Sequence, residues 1–231
     1  RMPVERDMIG LYGAVGSANH VPPFGGTELL LGTNPIAVAV PAGASPPFVL
    51  DMATTVASVG RIKTLAQRGE MMPEGWMVGP DGKPLTDPAR REEGFLLPIG
   101  GPKGYGLAMA IGLLAGTLNG AAFGKDVADF TNDTVTPGNT GQFIAAISLA
   151  AFGDVAAFKA NVDAAFQDIR ESETLPGHDA VRIPGDRHEA IFKDRAAHGI
   201  PLHPNLLNVL SEIAAELQIE DLTRPDTEPA G

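Results

Sequence analysis

The chain has no cysteine. Disulfide staples, thiolate nucleophiles and Cys-ligated zinc are therefore excluded, and the absence fits a cytoplasmic location. Positive charge is scarce as well: 17 Lys and Arg stand against 28 Asp and Glu, a net charge of −11 over 231 residues. Such a surface repels phosphate backbones and anionic bilayers, so neither nucleic acid nor a membrane is an expected partner. The most apolar stretch, Gly104 to Leu118, falls short of the roughly 20 residues a bilayer span needs. It contains Gly106, Gly112 and Gly116 and reads as a buried helix. The opening Arg1-Met2-Pro3-Val4-Glu5-Arg6-Asp7 leads into no signal-peptide core. Familiar site motifs are missing too. There is no Gly-x-Gly-x-x-Gly, so the Rossmann fingerprint is absent. The histidines at 20, 178, 188, 198 and 203 form no His-Glu-x-x-His set, and no metal site is expected. Gly120 to Asp126 imitates a phosphate-binding loop only faintly. It is one residue short between its glycines and carries Asp126 where Ser or Thr should meet magnesium.

What is present is an apolar fraction of 44%, enough for a substantial core, and 28 glycines with 20 prolines, which signal many tight connections. Ile36–Val40 and Phe48–Leu50 read as buried strands joined by a Pro- and Gly-bearing loop. Met52 to Arg68 reads as a helix, with Val56, Val59, Ile62 and Leu65 on one face and Gly69 after its basic last turn. Trp76–Val78 and Phe143–Leu149 read as strands. Asp154 caps a helix with Val155, Phe158, Val162, Phe166 and Ile169 on one face. Helical patterns follow at 187–198 and 205–217, then a tail at 221–231 expected to fray. Strands and helices mix without strict alternation. The expected fold is α/β, with a large mixed, non-Rossmann sheet covered by helices and a C-terminal helical part. The domains are read as 1–165, the sheet domain, and 166–231, the helical segment.

Three junctions between loops and regular elements could carry chemistry. The first is Ser17-Ala18-Asn19-His20 through Pro23-Phe24-Gly25-Gly26 to Gly32-Thr33-Asn34-Pro35. The second is Leu50-Asp51-Met52-Ala53-Thr54-Thr55, a strand ending in a carboxylate. The third is Gly100-Gly101-Pro102-Lys103-Gly104-Tyr105-Gly106, a glycine-rich loop that opens a helix. Asp51 can accept hydrogen bonds from a ribose diol, and helix-start amides can face an anionic group. Lys103 adds a flexible positive charge where glycines let a ligand approach the backbone. Plainer roles are open at each: Asp51 as a helix N-cap, Lys103 as a solvated charge, Pro-Phe-Gly-Gly as a turn.

In this order the junctions resemble the malate/L-lactate dehydrogenase family, which includes ureidoglycolate dehydrogenase. The matching strings are PPFGGTELLLGTNPIAVAVP, VLDMATTVASVGRI, WMVGPDGKPLTDP, LLPIGGPKGYGLAMAIGLLAGTLNGAAFG, NTGQFIAAI and IPGDRHE. The resemblance runs roughly from Met8 to Ile219. It implies hydride transfer between NAD or NADP and a small 2-hydroxy acid of the malate, lactate or ureidoglycolate type, in a homodimer. Reduction of a cyclic imine acid by NADPH is an alternative within related sequences. A non-catalytic nucleotide-binding remnant is another. The cofactor contacts the resemblance implies are Ser17, Asp51, Met52, Ala53, Lys103, Asn161, Gly185, Asp186 and Arg187. An acidic residue at a ribose favours NAD in Rossmann proteins, but in this fold the choice stays open. Arg61 and Lys63 are the nearest candidates for a 2′-phosphate. The family's proton-transferring histidine belongs to a segment ahead of the position of Met8, so no catalytic residue is assigned here and the isolated chain is expected to be inactive. Gly112 stands where many relatives carry an acidic residue.

Overall fold

The computed structural model describes residues 1–221. These residues fall into two compact units, Arg1–Gly185 and a second beginning at Asp186. The boundary expected between residues 165 and 166 falls inside a continuous helix, Val155–Arg170. Of the expected tail, only Asp221 lies among the described residues.

The first unit is built on a four-stranded sheet. Its strands are β1 (Met8–Ala14), β2 (Ile36–Val40), β3 (Phe48–Met52) and, late in the chain, β6 (Gln142–Ser148). They lie in the order β3-β2-β1-β6, and every pair is antiparallel. A second ribbon pairs β4 (Met77–Val78) with β5 (Phe95–Leu96). The α/β class and the non-Rossmann sheet are as expected, and the sheet is smaller and antiparallel where a large mixed one was expected. The reason is connectivity. A short loop joins β2 to β3, and β1 pairs with β6, well over a hundred residues away, so no parallel crossover is closed. Strand β1, MIGLYGA, carries two glycines and little alternation, and its sequence alone did not mark it as a strand.

Helix α1 spans Val59–Arg68 and not the whole of Met52–Arg68. Ser58 caps it, accepting a hydrogen bond from the Arg61 amide, and Gly69 closes it at φ +67°. Residues before Ser58 cannot join the helix because their backbone is bonded elsewhere: Thr54 N to Thr33 O and Val56 N to Leu97 O, both at 2.9 Å. Helix α2, Pro102–Ala115, starts with Pro at its first turn and packs on β1 and β6. It is buried on one face only, through Gly104, Ala108, Ile111, Gly112 and Ala115, while Leu113 and Leu114 are exposed. The buried helix read from its apolarity is thus buried along one face. A Cβ on Gly112 would collide with the Phe123 ring, which occupies the space a side chain would need. Helix α3, Val155–Arg170, is capped by Asp154, whose carboxylate accepts from Ala157 N at 2.7 Å.

The core lies mostly beside the sheet, under the connecting loops. Val21, Leu31, Ala57, Ile62, Met72, Met77, Leu85, Leu96 and Ala108 form one cluster. Burying each large aliphatic side chain contributes about 1.5–3 kcal/mol. The loops that carry the three junctions are therefore held from beneath by apolar packing. The second unit contains α4, Asp186–His198, and α5, Pro204–Leu217.

Candidate cofactor site

The three junctions meet at Thr33 and Asn34. Asn34 is fully buried, at 0% exposure, with φ +24°. Its Oδ1 accepts from Gly16 N, next to Ser17, and its Nδ2 donates to Ala108 O in α2, each at 2.9 Å. Gly16 and Gly32 touch backbone to backbone, so closely that a Cβ on Gly32 would lie 2.8 Å from Gly16 Cα. The Thr33 carbonyl accepts from both the amide and the hydroxyl of buried Thr54. The Thr54 carbonyl in turn accepts from Ile99 N at 3.0 Å, one residue before the Gly100-Gly101 pair. The end of β3 is thereby fastened to the start of α2, and both are fastened to the Ser17 loop. The sequence places Asn34 in the first junction; its structural part was legible only as a polar residue before a proline among apolar neighbours.

The expected cofactor contacts at these junctions are exposed or partly exposed. Asp51 lies in β3 and is exposed, with Met52 and Ala53 partly exposed behind it. Asp51 does not cap a helix, since α1 begins eight residues later on its own serine. Gly100 and Gly101 take φ +59° and +62°, a region that favours glycine. They deliver Lys103, exposed in the first turn of α2. Gly104 cannot be anything larger, because a Cβ would strike the Ile99 carbonyl. Ser17 is exposed, and its carbonyl accepts from Phe130 N. Gly185 lies at the edge of β3. The neighbouring Pro184 carbonyl accepts from Val49 N at 2.9 Å, and a Cβ on Gly185 would meet Val49 Cβ at 3.4 Å. Val49 and Asp51 share a strand face, two residues apart. Asn161 is exposed on α3. Two residues along, the Asp163 carboxylate accepts from the amides of Gly43, Ala44 and Ser45 at 3.2, 2.7 and 3.0 Å, which ties α3 to the loop feeding β3. These bonds hold the Asp163 carboxyl below the usual carboxylate range. Asp186 and Arg187 open α4 in the second unit.

Two cavities flank the junctions. One, of about 220 Å³, is lined by Pro22 to Thr27 and by Phe95 to Pro98. The other, of about 150 Å³, includes Asn19, His20, Arg91 and Asp129 in its lining. Burial pushes the His20 imidazole below its ordinary value, against the raising effect of Asp129. Arg61, a candidate for a 2′-phosphate, lies with its guanidinium 5.1 Å over the Trp76 ring. Among the described residues no group of three or more acidic or histidine side chains could hold a metal ion, and no helix is long and apolar enough to cross a membrane.

A family model for malate/L-lactate dehydrogenase matches residues 1–211. The malate/(S)-sulfolactate dehydrogenase of Methanothermus fervidus is 39% identical over 222 residues, 95% of this chain and 62% of that protein. A Delta(1)-pyrroline-2-carboxylate reductase of Ancylobacter novellus is 38% identical over 78% of this chain and 52% of its own length. The ureidoglycolate dehydrogenase (NAD(+)) of Escherichia coli O157:H7 is 34% identical over 82% of this chain and 54% of its own length. Among solved structures, the malate dehydrogenase from Entamoeba histolytica superimposes with a TM-score of 0.88 at 25% identity, covering 95% of this chain and 64% of that one. The α/β fold with its antiparallel, non-Rossmann sheet is shared with these solved relatives. The chain belongs to the malate/L-lactate dehydrogenase family. It spans about three fifths of the length of the first relatives it matches, 62% for the Methanothermus protein.

Proposed function

We propose that this chain holds the nicotinamide dinucleotide of an oxidoreductase that interconverts a small 2-hydroxy acid and its 2-keto acid. The observation that carries the reading is the fastening of three exposed junctions through Thr33, Asn34, Thr54 and Ile99. The residues fit the group. Asp51 offers an acceptor to a ribose diol, Lys103 a cation beside a helix start to a diphosphate, and Gly100, Gly101 and Gly185 a close backbone approach. Ser17, Met52, Ala53 and Asn161 complete the contacts, with Asp186 and Arg187 carried by the family likeness alone. When bound, the cofactor gives or takes the hydride. The protein's part is to orient it and keep water from it. None of the five histidines takes the place the family likeness gives to the proton-transferring one, so cofactor binding, and not proton transfer, is assigned to these residues.

Titration decides between NAD and NADP: a carboxylate at the ribose disfavours a 2′-phosphate, while the Arg61 guanidinium stacked on Trp76 still offers N–H donors to one. The cyclic-imine reduction named for the Ancylobacter relative is the second reading, supported by its 38% identity. The partner in assembly is a second copy, through apolar surface such as Leu113, Leu114 and Leu118; the proposed location is the cytoplasm. Titration of NADH and NADPH by fluorescence tests the reading. Asp51→Asn and Lys103→Met should each weaken NADH by about tenfold or more, since a hydrogen bond to a charged group contributes about 1.5–3 kcal/mol. Unchanged affinity in both, with normal melting, would overturn it.

A further inference from the structure

The register of the sheet places four side chains in one row. Asp51 pairs with Ala37, Ala37 with Tyr12, and Tyr12 with Ile144. Residues directly opposite in an antiparallel pair project to the same face. Asp51, Ala37, Tyr12 and Ile144 therefore share a face. It is the face opposite α2, because α2 meets the alternate residue Gly13 through Ile111. The next row toward the loop end is partly covered: Pro3 lies against Gly10, and Ala39 is buried. The Asp51 row is open. Asp51 is exposed, Ile144 is 72% exposed, and Tyr12 and Ala37 are partly exposed.

The row has an uneven profile. Ala37 contributes only a methyl group between a carboxylate on one side and an aromatic ring with an aliphatic neighbour on the other. Asp51 and Tyr12 stand two strand spacings apart, about 9–10 Å. That span suits a ribose with its attached base, the diol at Asp51 and the flat base over Tyr12. We propose that the Ala37 gap is the adenosine seat of the cofactor, with Tyr12 the stacking surface for adenine and Ile144 its apolar margin. The proposal rests on the reading that Asp51 takes the ribose. The Ile99–Thr54 hydrogen bond holds the start of α2 at the end of β3, where Lys103 serves the diphosphate, and the adenosine end passes over the strand end to the face that Asp51 presents. A purine needs no charged partner here. An aromatic face and an aliphatic side chain give it shape and dispersion without base-specific hydrogen bonds.

The test separates the two halves of the cofactor. Dissociation constants for NADH and for reduced nicotinamide mononucleotide, which lacks adenosine, are measured with the 231-residue chain and three variants. Tyr12→Ala should weaken NADH by about tenfold and leave the mononucleotide unchanged, while Tyr12→Phe should bind NADH as the parent does. Equal weakening of both ligands, or no weakening of NADH, overturns the proposal. Asp51→Asn distinguishes the levels: if it weakens NADH while Tyr12→Ala does not, the cofactor site stands and the adenosine seat falls. If neither changes, both fall. Photolabelling of the unaltered chain with an azidoadenine dinucleotide gives a check that needs no variant. Label on the peptide of β1 or β6 supports the seat, and label confined to other segments overturns it.

Discussion

Replacing Asn34 with alanine tests the fastening on which the site depends. The side chain is fully buried and makes two hydrogen bonds of 2.9 Å, accepting from Gly16 N and donating to Ala108 O. Alanine leaves the Ala108 carbonyl without a partner in a buried place and the Gly16 amide without one in a partly buried place. Each buried unpaired group costs about 1–3 kcal/mol. Alanine also fits poorly at φ +24°, a conformation that costs a non-glycine residue about 1–2 kcal/mol and that asparagine tolerates better. The expected loss is about 3–6 kcal/mol, a large fraction of the 5–15 kcal/mol that holds a typical domain together. Urea unfolding followed by the fluorescence of Trp76 measures it. Asn34→Asp sharpens the argument. Aspartate can still accept from Gly16 N, but it faces the Ala108 carbonyl with no proton to donate unless protonated. Its folded pKa should lie above the unfolded value near 3.9. The folded state then binds more protons than the unfolded one, so stability falls as pH rises from about 4 through the folded pKa. This variant should be nearest the parent in acid and weakest at neutral pH. A loss below about 0.5 kcal/mol for Asn34→Ala, or a flat pH profile for Asn34→Asp, would refute the reasoning.

Other outcomes follow from the same contacts. Asp163 accepts three amides of the β2–β3 loop and its carboxyl is held low; a depressed folded pKa contributes stability above the ordinary carboxylate value and loses it as pH falls through the folded one. Asp163→Asn should therefore flatten the acid limb of the stability profile, and an unchanged limb in acid unfolding would count against the clamp. Gly112→Ala should destabilise by about 1–3 kcal/mol through overpacking on Phe123, and Phe123→Leu should recover part of the loss in the double variant. Light scattering at micromolar concentration should give a dimer, which Leu113→Glu together with Leu118→Glu should weaken; a clean monomer for the parent refutes assembly through α2.

Local chemistry was legible in the chain wherever a residue acts within a few positions of itself. Asp154 before an apolar helical face and Gly69 after a basic turn mark helix ends, because capping uses neighbouring backbone groups. The family was legible for a related reason: the glycine-rich string around Lys103 is dictated by backbone geometry that tolerates few residues. Gly104, with no room for a Cβ beside Ile99, is one such position. The absence of cysteine excluded thiolate and disulfide chemistry from these residues without any structure. Pairings made across long stretches of chain were not legible. Strand β1 has two glycines and no alternation, and its neighbour β6 is decided by the contacts of the folded sheet. The start of α1 was placed too early because periodicity continues through Val56, whereas the amides of Thr54 and Val56 are taken by Thr33 and Leu97. The role of Asn34 arises only when Gly16 and Ala108 come beside it, and the shared face of Asp51 and Tyr12 only when β3, β2 and β1 come into register. Hydrogen bonds between distant segments are satisfied in the assembled fold, and no local propensity records them.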